Sequence, residues 1–217
     1  MAFPNTRHSA ILGLHDEDAD VRRQSLDALV CAYWEPMRTY LRLRWRESEE
    51  NAADLAQAFF SKCIESAIFA RYEKSKGTFR TYIRTCLDNF VLNNRKKAHA
   101  SAAPLEVDVA SADDSPEDVF DREWVRSLFS LAIDDLRVSQ DAVRFRVFER
   151  YNLNDSDTRP SYNELAAEFG VTTVSITNYL AAMRREFRKV VLSRLRALTR
   201  SEREFRSEAR AILGIEI

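Results

Sequence analysis

Only four of the 217 residues are glycine, and Gly13, Gly77, Gly170 and Gly214 stand far apart. At an average usage of roughly 7%, a chain of this length would carry about fifteen. Turn-rich β folds use glycine at positive-φ turns, and phosphate-cradling loops use it where backbone must approach a ligand closely. Neither G-x-G-x-x-G nor G-x-x-x-x-G-K-[ST] can be assembled from four isolated glycines. A dinucleotide-binding fold and a P-loop enzyme are therefore disfavoured, and an all-α protein is expected.

Hydrophobic residues recur at helical spacing along most of the chain. Leu26, Leu29, Val30, Tyr33, Met37 and Leu41 form one such series, in which Pro36 is expected to kink the helix or to begin another. A second series runs through Leu55, Phe59, Phe60, Cys63, Ile64 and Ile68. Thr78 stands where an N-cap belongs, ahead of Phe79, Ile83, Cys86 and Phe90 on one face. Residues 1–20 read as polar and loosely ordered, with acids at a helix start. Residues 101–116 are small and acidic, with Pro104 and Pro116, the composition of a flexible linker. The expected layout is a helical domain over 1–100, the acidic linker, and a second helical domain over 117–217. The amphipathic segment 199–213 is expected to pack on that second domain or to meet a partner.

The formal net charge of −1 conceals segregation. Between Arg71 and Lys97 eight Lys/Arg oppose Glu73 and Asp88, a balance of +6. Between Ser101 and Val125 one Arg opposes eight acids, a balance of −7, and between Arg184 and Arg196 six cations oppose Glu186, a balance of +5. Two basic stretches flanking an acidic one point to a polyanionic partner more than the total does.

Ser161-Tyr162-Asn163-Glu164 has the form of a capping box and follows Pro160. Leu165, Ala166, Phe169, Gly170, Val171 and Ile176 then supply the inward faces and the tight turn of two short crossed helices, so this domain is expected to contain a helix-turn-helix. An ordinary helical hairpin is the competing reading. In a DNA-reading helix, Thr172 caps the start, and Thr173, Ser175, Thr177 and Asn178 face outward toward base edges or phosphates. Arg184, Arg185, Arg188 and Lys189 follow and suit phosphates. In the first domain, Asn89, Asn93, Lys96 and Lys97 fall three or four apart on one helix face. The preceding loop mixes Tyr72 with Lys74 and Lys76, the stacking-plus-charge combination that holds single-stranded nucleic acid.

Over residues 24–198 the chain resembles the extracytoplasmic-function group of bacterial RNA polymerase sigma factors. Asp54-Leu55-Ala56-Gln57-Ala58-Phe59-Phe60 is similar to the polymerase-binding helix of that family, Phe79–Lys97 to its promoter-melting and −10-reading helix, and Ser161–Leu192 to its −35-reading helix-turn-helix. The resemblance implies a dissociable promoter-specificity subunit, with core RNA polymerase and promoter DNA as partners and an anti-sigma factor or other regulatory protein as a further one. It implies that Asp54, Gln57 and Phe60 bind polymerase. Tyr72, Lys74, Lys76, Arg80, Asn89, Asn93, Lys96 and Lys97 would serve melting and −10 contacts, and Thr172, Thr173, Ser175, Thr177, Asn178, Arg184, Arg185 and Arg188 would serve −35 contacts. Asn93 stands where the family usually has Asp, and Asn51, Ala53 and Ala58 stand where acids are common.

The alternative is a two-domain helix-turn-helix regulator that needs no polymerase. An enzyme is not expected. His8, His15 and His99 lack metal-ligand spacing with Cys31, Cys63 and Cys86, no nucleophile–base pair is evident, and no cofactor or metal is called for. The three cysteines form no C-x-x-C and read as free thiols of a reducing cytoplasm, and no membrane span is expected.

Overall fold

A computed structural model describes residues 9–14, 16–73, 77–99, 115–154 and 158–214, without the side chains of 70 and 97–99. His8, His15, Lys74, Lys76 and linker residues 101–114 lie outside the described residues, as do the side chains of Lys97 and His99. Among the described residues the regular structure is entirely helical. In chain order the helices are α1 Ala10–Gly13, α2 Ala19–Trp45, α3 Glu49–Glu65, α4 Phe79–His99, α5 Pro116–Ser139, α6 Ala142–Asn152, α7 Tyr162–Phe169, α8 Thr173–Ala197 and α9 Glu202–Leu213, with a 3-10 turn at Phe69–Arg71. No helix among the described residues is long and apolar enough to cross a membrane.

The chain divides into two compact units, one of residues 1–128 with 195–217 and the other of residues 129–194. The division therefore falls inside α5 and α8 rather than at the acidic segment, and α9 joins the first unit rather than the second. Burial explains this placement. Phe205 and Ala209 of α9, with Phe120 and Trp124 of α5, all lie in the first unit's core.

Local signals set most helix starts. Asp18 caps α2 by accepting from the Asp20 N–H at 2.8 Å, and the Thr78 hydroxyl caps α4 by accepting from the Thr81 N–H at 3.2 Å. Pro36 neither ends α2 nor begins a new helix. It lacks the N–H that would bond back one turn, but Ala32, Tyr33, Met37 and Tyr40 around it are buried, and packing carries the helix through. Residues 10–13 are also more ordered than their polar setting suggests. Ala10 and Ile11 are buried, and a Cβ on Gly13 would stand 2.2 Å from the Ser25 hydroxyl oxygen, so a side chain there would require that hydroxyl to turn aside.

Aromatic packing fills the first unit. Tyr33 lies 5.8 Å from Phe79, 6.5 Å from Phe120 and 6.2 Å from Trp124, centroid to centroid, while Tyr40 meets Phe120 edge-on at 5.6 Å. Asp88 of α4 accepts from the Tyr40 hydroxyl and from the Trp45 indole N–H, both at 2.9 Å, and so ties α4 to α2.

In the second unit α6 serves two clusters. Phe145 and Phe148 pack with Leu136 and Met183, while Val147 packs with Leu165, Ile176 and Leu180. Arg194 closes the unit with a two-pronged pair to Asp135, at 2.6 and 2.7 Å.

Candidate nucleic-acid interface

The capping box at the start of α7 is complete. The Ser161 hydroxyl accepts from the Glu164 N–H at 3.2 Å, and the Glu164 carboxylate accepts from the Ser161 N–H at 2.6 Å. That backbone bond holds the Glu164 carboxyl below the usual carboxylate range. Gly170 ends α7 in the left-handed region at φ 64°, and the Val171 N–H closes the turn on the Ala166 carbonyl at 3.0 Å. The Thr172 hydroxyl then caps α8 by accepting from the Ser175 N–H at 3.1 Å. Leu165, Ile176 and Leu180 are fully buried between the two helices.

With those three inside, the opposite face of the first turns of α8 is forced outward. Thr172, Thr173, Thr177 and Asn178 are exposed and Ser175 is half-buried. Thr177 spends its hydroxyl proton on the Thr173 carbonyl at 3.0 Å, so it offers an oxygen and a methyl group. The Asn178 amide is the longest polar group on this face. Arg184, Arg185 and Arg188 are exposed further along α8.

Several arginines around these helices are held against rings. Arg144 of α6 lies 5.3 Å from the Tyr179 centroid and Arg146 lies 5.7 Å from Phe169. Arg159 and Arg184 both approach Tyr151, at 5.8 and 5.5 Å, and Arg184 also donates to the Asn152 side-chain oxygen at 3.4 Å. Sequence reasoning singled out Arg184 and missed Arg144, Arg146 and Arg159. Their ring partners lie 8 or more positions away, beyond any local pattern, and charge counting alone could not separate them from Arg137, which pairs with Asp134 and Glu149.

In the first unit α4 turns Asn89, Asn93 and Lys96 outward as one exposed stripe with Thr85 and the half-exposed Leu92, while Ile83, Leu87 and Val91 are buried. On α3, Asp54 and Gln57 are exposed. Asp54 lines a cleft of about 420 Å³ with Asn51, Leu55, Ala58, Val91 and Arg95.

Three expected contact residues are instead engaged within the first unit, two of them buried. Phe60 is only 5% exposed and stacks on Trp34 at 6.3 Å, because α2 covers that side of α3. Tyr72 is 2% exposed, its ring against Phe79 and Tyr82. Its hydroxyl stands 2.9 Å from the Gly77 carbonyl oxygen and 3.0 Å from a Glu204 carboxylate oxygen, and burial raises its pKa. Arg80 lies 4.7 Å over the Trp124 ring and pairs with Asp121 at 3.3 Å and Glu208 at 3.2 Å. α9 thus engages Tyr72, and α9 and α5 together engage Arg80. No group of three or more His, Cys, Asp or Glu able to hold a metal ion exists among the described residues. Comparison with known protein families, with curated proteins and with solved structures finds no match for this chain.

Proposed function

We propose that the protein is a sigma factor of the extracytoplasmic-function type, which joins core RNA polymerase and directs it to promoters. The observation that carries this reading is the α7–Gly170–α8 arrangement. A fully capped short helix and a left-handed glycine set α8 so that Thr173, Thr177 and Asn178 project from its first turns, while the exposed Arg184, Arg185 and Arg188 follow along the same helix. That is the pattern of a major-groove reading helix flanked by phosphate contacts, and it supports assigning −35 recognition to the second unit as a helix-turn-helix. The stripe Asn89, Asn93 and Lys96 on α4 supports a second DNA contact, at the −10 element. The cleft at Asp54 supports the polymerase-binding role of α3, with Asp54 and Gln57 as its accessible polar groups.

The alternative, a DNA-binding regulator that acts without polymerase, draws support from the burial of Phe60 and Tyr72 and from the pairing of Arg80 with Asp121 and Glu208. Fewer groups are then left for clamp binding and strand opening. One experiment separates the two. Run-off transcription with purified core polymerase on a library of promoter sequences is expected to give protein-dependent transcripts sharing −35 and −10 elements. Sequence-specific duplex binding without any core-dependent transcript would establish the regulator instead.

A further inference from the structure

Two carboxylates of α9 reach residues that open α4 and the loop before it. One Glu204 oxygen accepts from the Phe79 N–H, the first of α4, at 3.1 Å, and lies 3.0 Å from the Tyr72 hydroxyl. The other accepts from the Arg200 N–H at 3.0 Å. One turn further along α9, Glu208 pairs with Arg80 at 3.2 Å. Arg200 completes the attachment by donating to the Tyr72 carbonyl at 2.6 Å. Glu204 and Glu208 are 8% and 5% exposed, and burial raises the pKa of Glu208 against the opposing pull of Arg80.

Each of these partners is an anion-binding group. A helix N-terminus presents free N–H groups at the positive end of the helix dipole, and α4 offers one here. Arg80 is a two-pronged phosphate donor, and Tyr72 is a ring on which a base can stack. Buried carboxylates are costly, and an apolar residue in place of either would have covered the same surface. What the two glutamates add over an apolar cover is negative charge at a cationic, aromatic site.

We infer that α9 is an acidic plug on a single-stranded nucleic-acid site formed by Tyr72, the N-terminus of α4 and Arg80. This rests on the reading of the first unit as a DNA-opening module and specifies how that module is regulated. The plug and the strand compete for the Phe79 N–H, the Tyr72 hydroxyl and Arg80, which Asp121 of α5 also pairs at 3.3 Å, so strand capture requires α9 to leave. Any partner that draws α9 away, or supplies a second contact to the strand, favours the open site.

The test uses the full chain and a fluorescently labelled single-stranded oligonucleotide carrying the −10 sequence obtained from run-off transcription. Glu204→Gln/Glu208→Gln keeps the side-chain volume and one acceptor oxygen at each position and removes both buried charges. The variant is expected to bind the strand at least tenfold more tightly than the wild type, with duplex −35 binding unchanged. Unchanged or weaker strand binding by a folded variant overturns the plug while leaving the −35 assignment standing. Absence of core-dependent transcription overturns the sigma-factor reading, and a random single strand of equal length then replaces the probe. Should the variant fail to fold, hydrogen exchange on the wild type decides. Saturating strand is expected to increase exchange across 202–213, and unaltered exchange there refutes the competition.

Discussion

Removing the Glu204 carboxylate should loosen the first unit by an amount that follows from its contacts. In Glu204→Ala the Phe79 N–H is left in a buried place without an acceptor, at a cost of about 1–3 kcal/mol. The Arg200 N–H is half-buried and regains water, so its loss adds about 0.5–1.5 kcal/mol. The Tyr72 hydroxyl loses little, because the Gly77 carbonyl already lies 2.9 Å away. Together these give about 2–4 kcal/mol. With a urea m-value of about 2 kcal/mol/M, the midpoint should fall by about 1–2 M. All three tryptophans, Trp34, Trp45 and Trp124, belong to the first unit, so tryptophan-selective fluorescence reads that unit alone. Glu204→Gln, which keeps an acceptor oxygen, should lose about half as much. A Glu204→Ala midpoint within experimental error of the wild type would refute the docking of α9 on the α4 N-terminus.

Other perturbations separate surface from core. Phe60→Ala should destabilise the first unit by about 3–5 kcal/mol in the same assay, whereas Asp54→Ala should stay within about 0.5 kcal/mol yet weaken capture of core polymerase. Burial raises the pKa of Tyr33 above its ordinary value of 10.0. Its contribution to stability is therefore complete below pH 10 and is lost as the pH rises beyond it, at up to about 1.4 kcal/mol per pH unit. Tyrosinate absorbance from Tyr33 should accordingly appear only with unfolding. Ser161→Ala removes one arm of the capping box and should cost the second unit about 1 kcal/mol, measured as a lowered melting midpoint by circular dichroism. Asn178→Ala should weaken binding by about 1–3 kcal/mol on the preferred −35 sequence and little on others, measured by anisotropy across a panel of duplexes.

What was legible in the chain was what lies close together along it. The capping box at Ser161 and Glu164, the turn at Gly170 and the caps at Thr78 and Thr172 each depend on residues within a few positions, and each was readable directly. The outward set on α8 followed from the same periodicity that buries Ile176 and Leu180. Phe59 and Phe60 show the limit of that signal. They are neighbours on α3, about 100° apart on the helix, and a single-face pattern leaves one of them outside. Both are buried because α2 places Trp34 beside Phe60, a contact that α3 alone does not encode. The Tyr72–Glu204 pair is more remote still, 132 positions apart. Tyr72 and Arg80 looked like nucleic-acid ligands because aromatic and cationic side chains serve internal stacking and ion pairing as well as they serve DNA. The internal partners come from α5 and α9, too far along the chain for a local pattern to show.

The return of α9 to the first unit gives the synthesis of this protein an order. The first unit takes its chain from both sides of the second, so residues up to 128 leave the ribosome long before Phe205, Glu208 and Ala209 can reach them. At about 5–20 residues per second, the interval from Leu128 to Ala209 lasts roughly 4–16 s. Through that time Tyr72, Phe79 and the α4 N-terminus are without the helix that covers them, while the second unit, one continuous stretch of chain, is already synthesised in full before α9. The unit begun first is thus the one completed last, and a nascent chain passes through a stage in which its aromatic, cationic edge is open to any polyanion nearby.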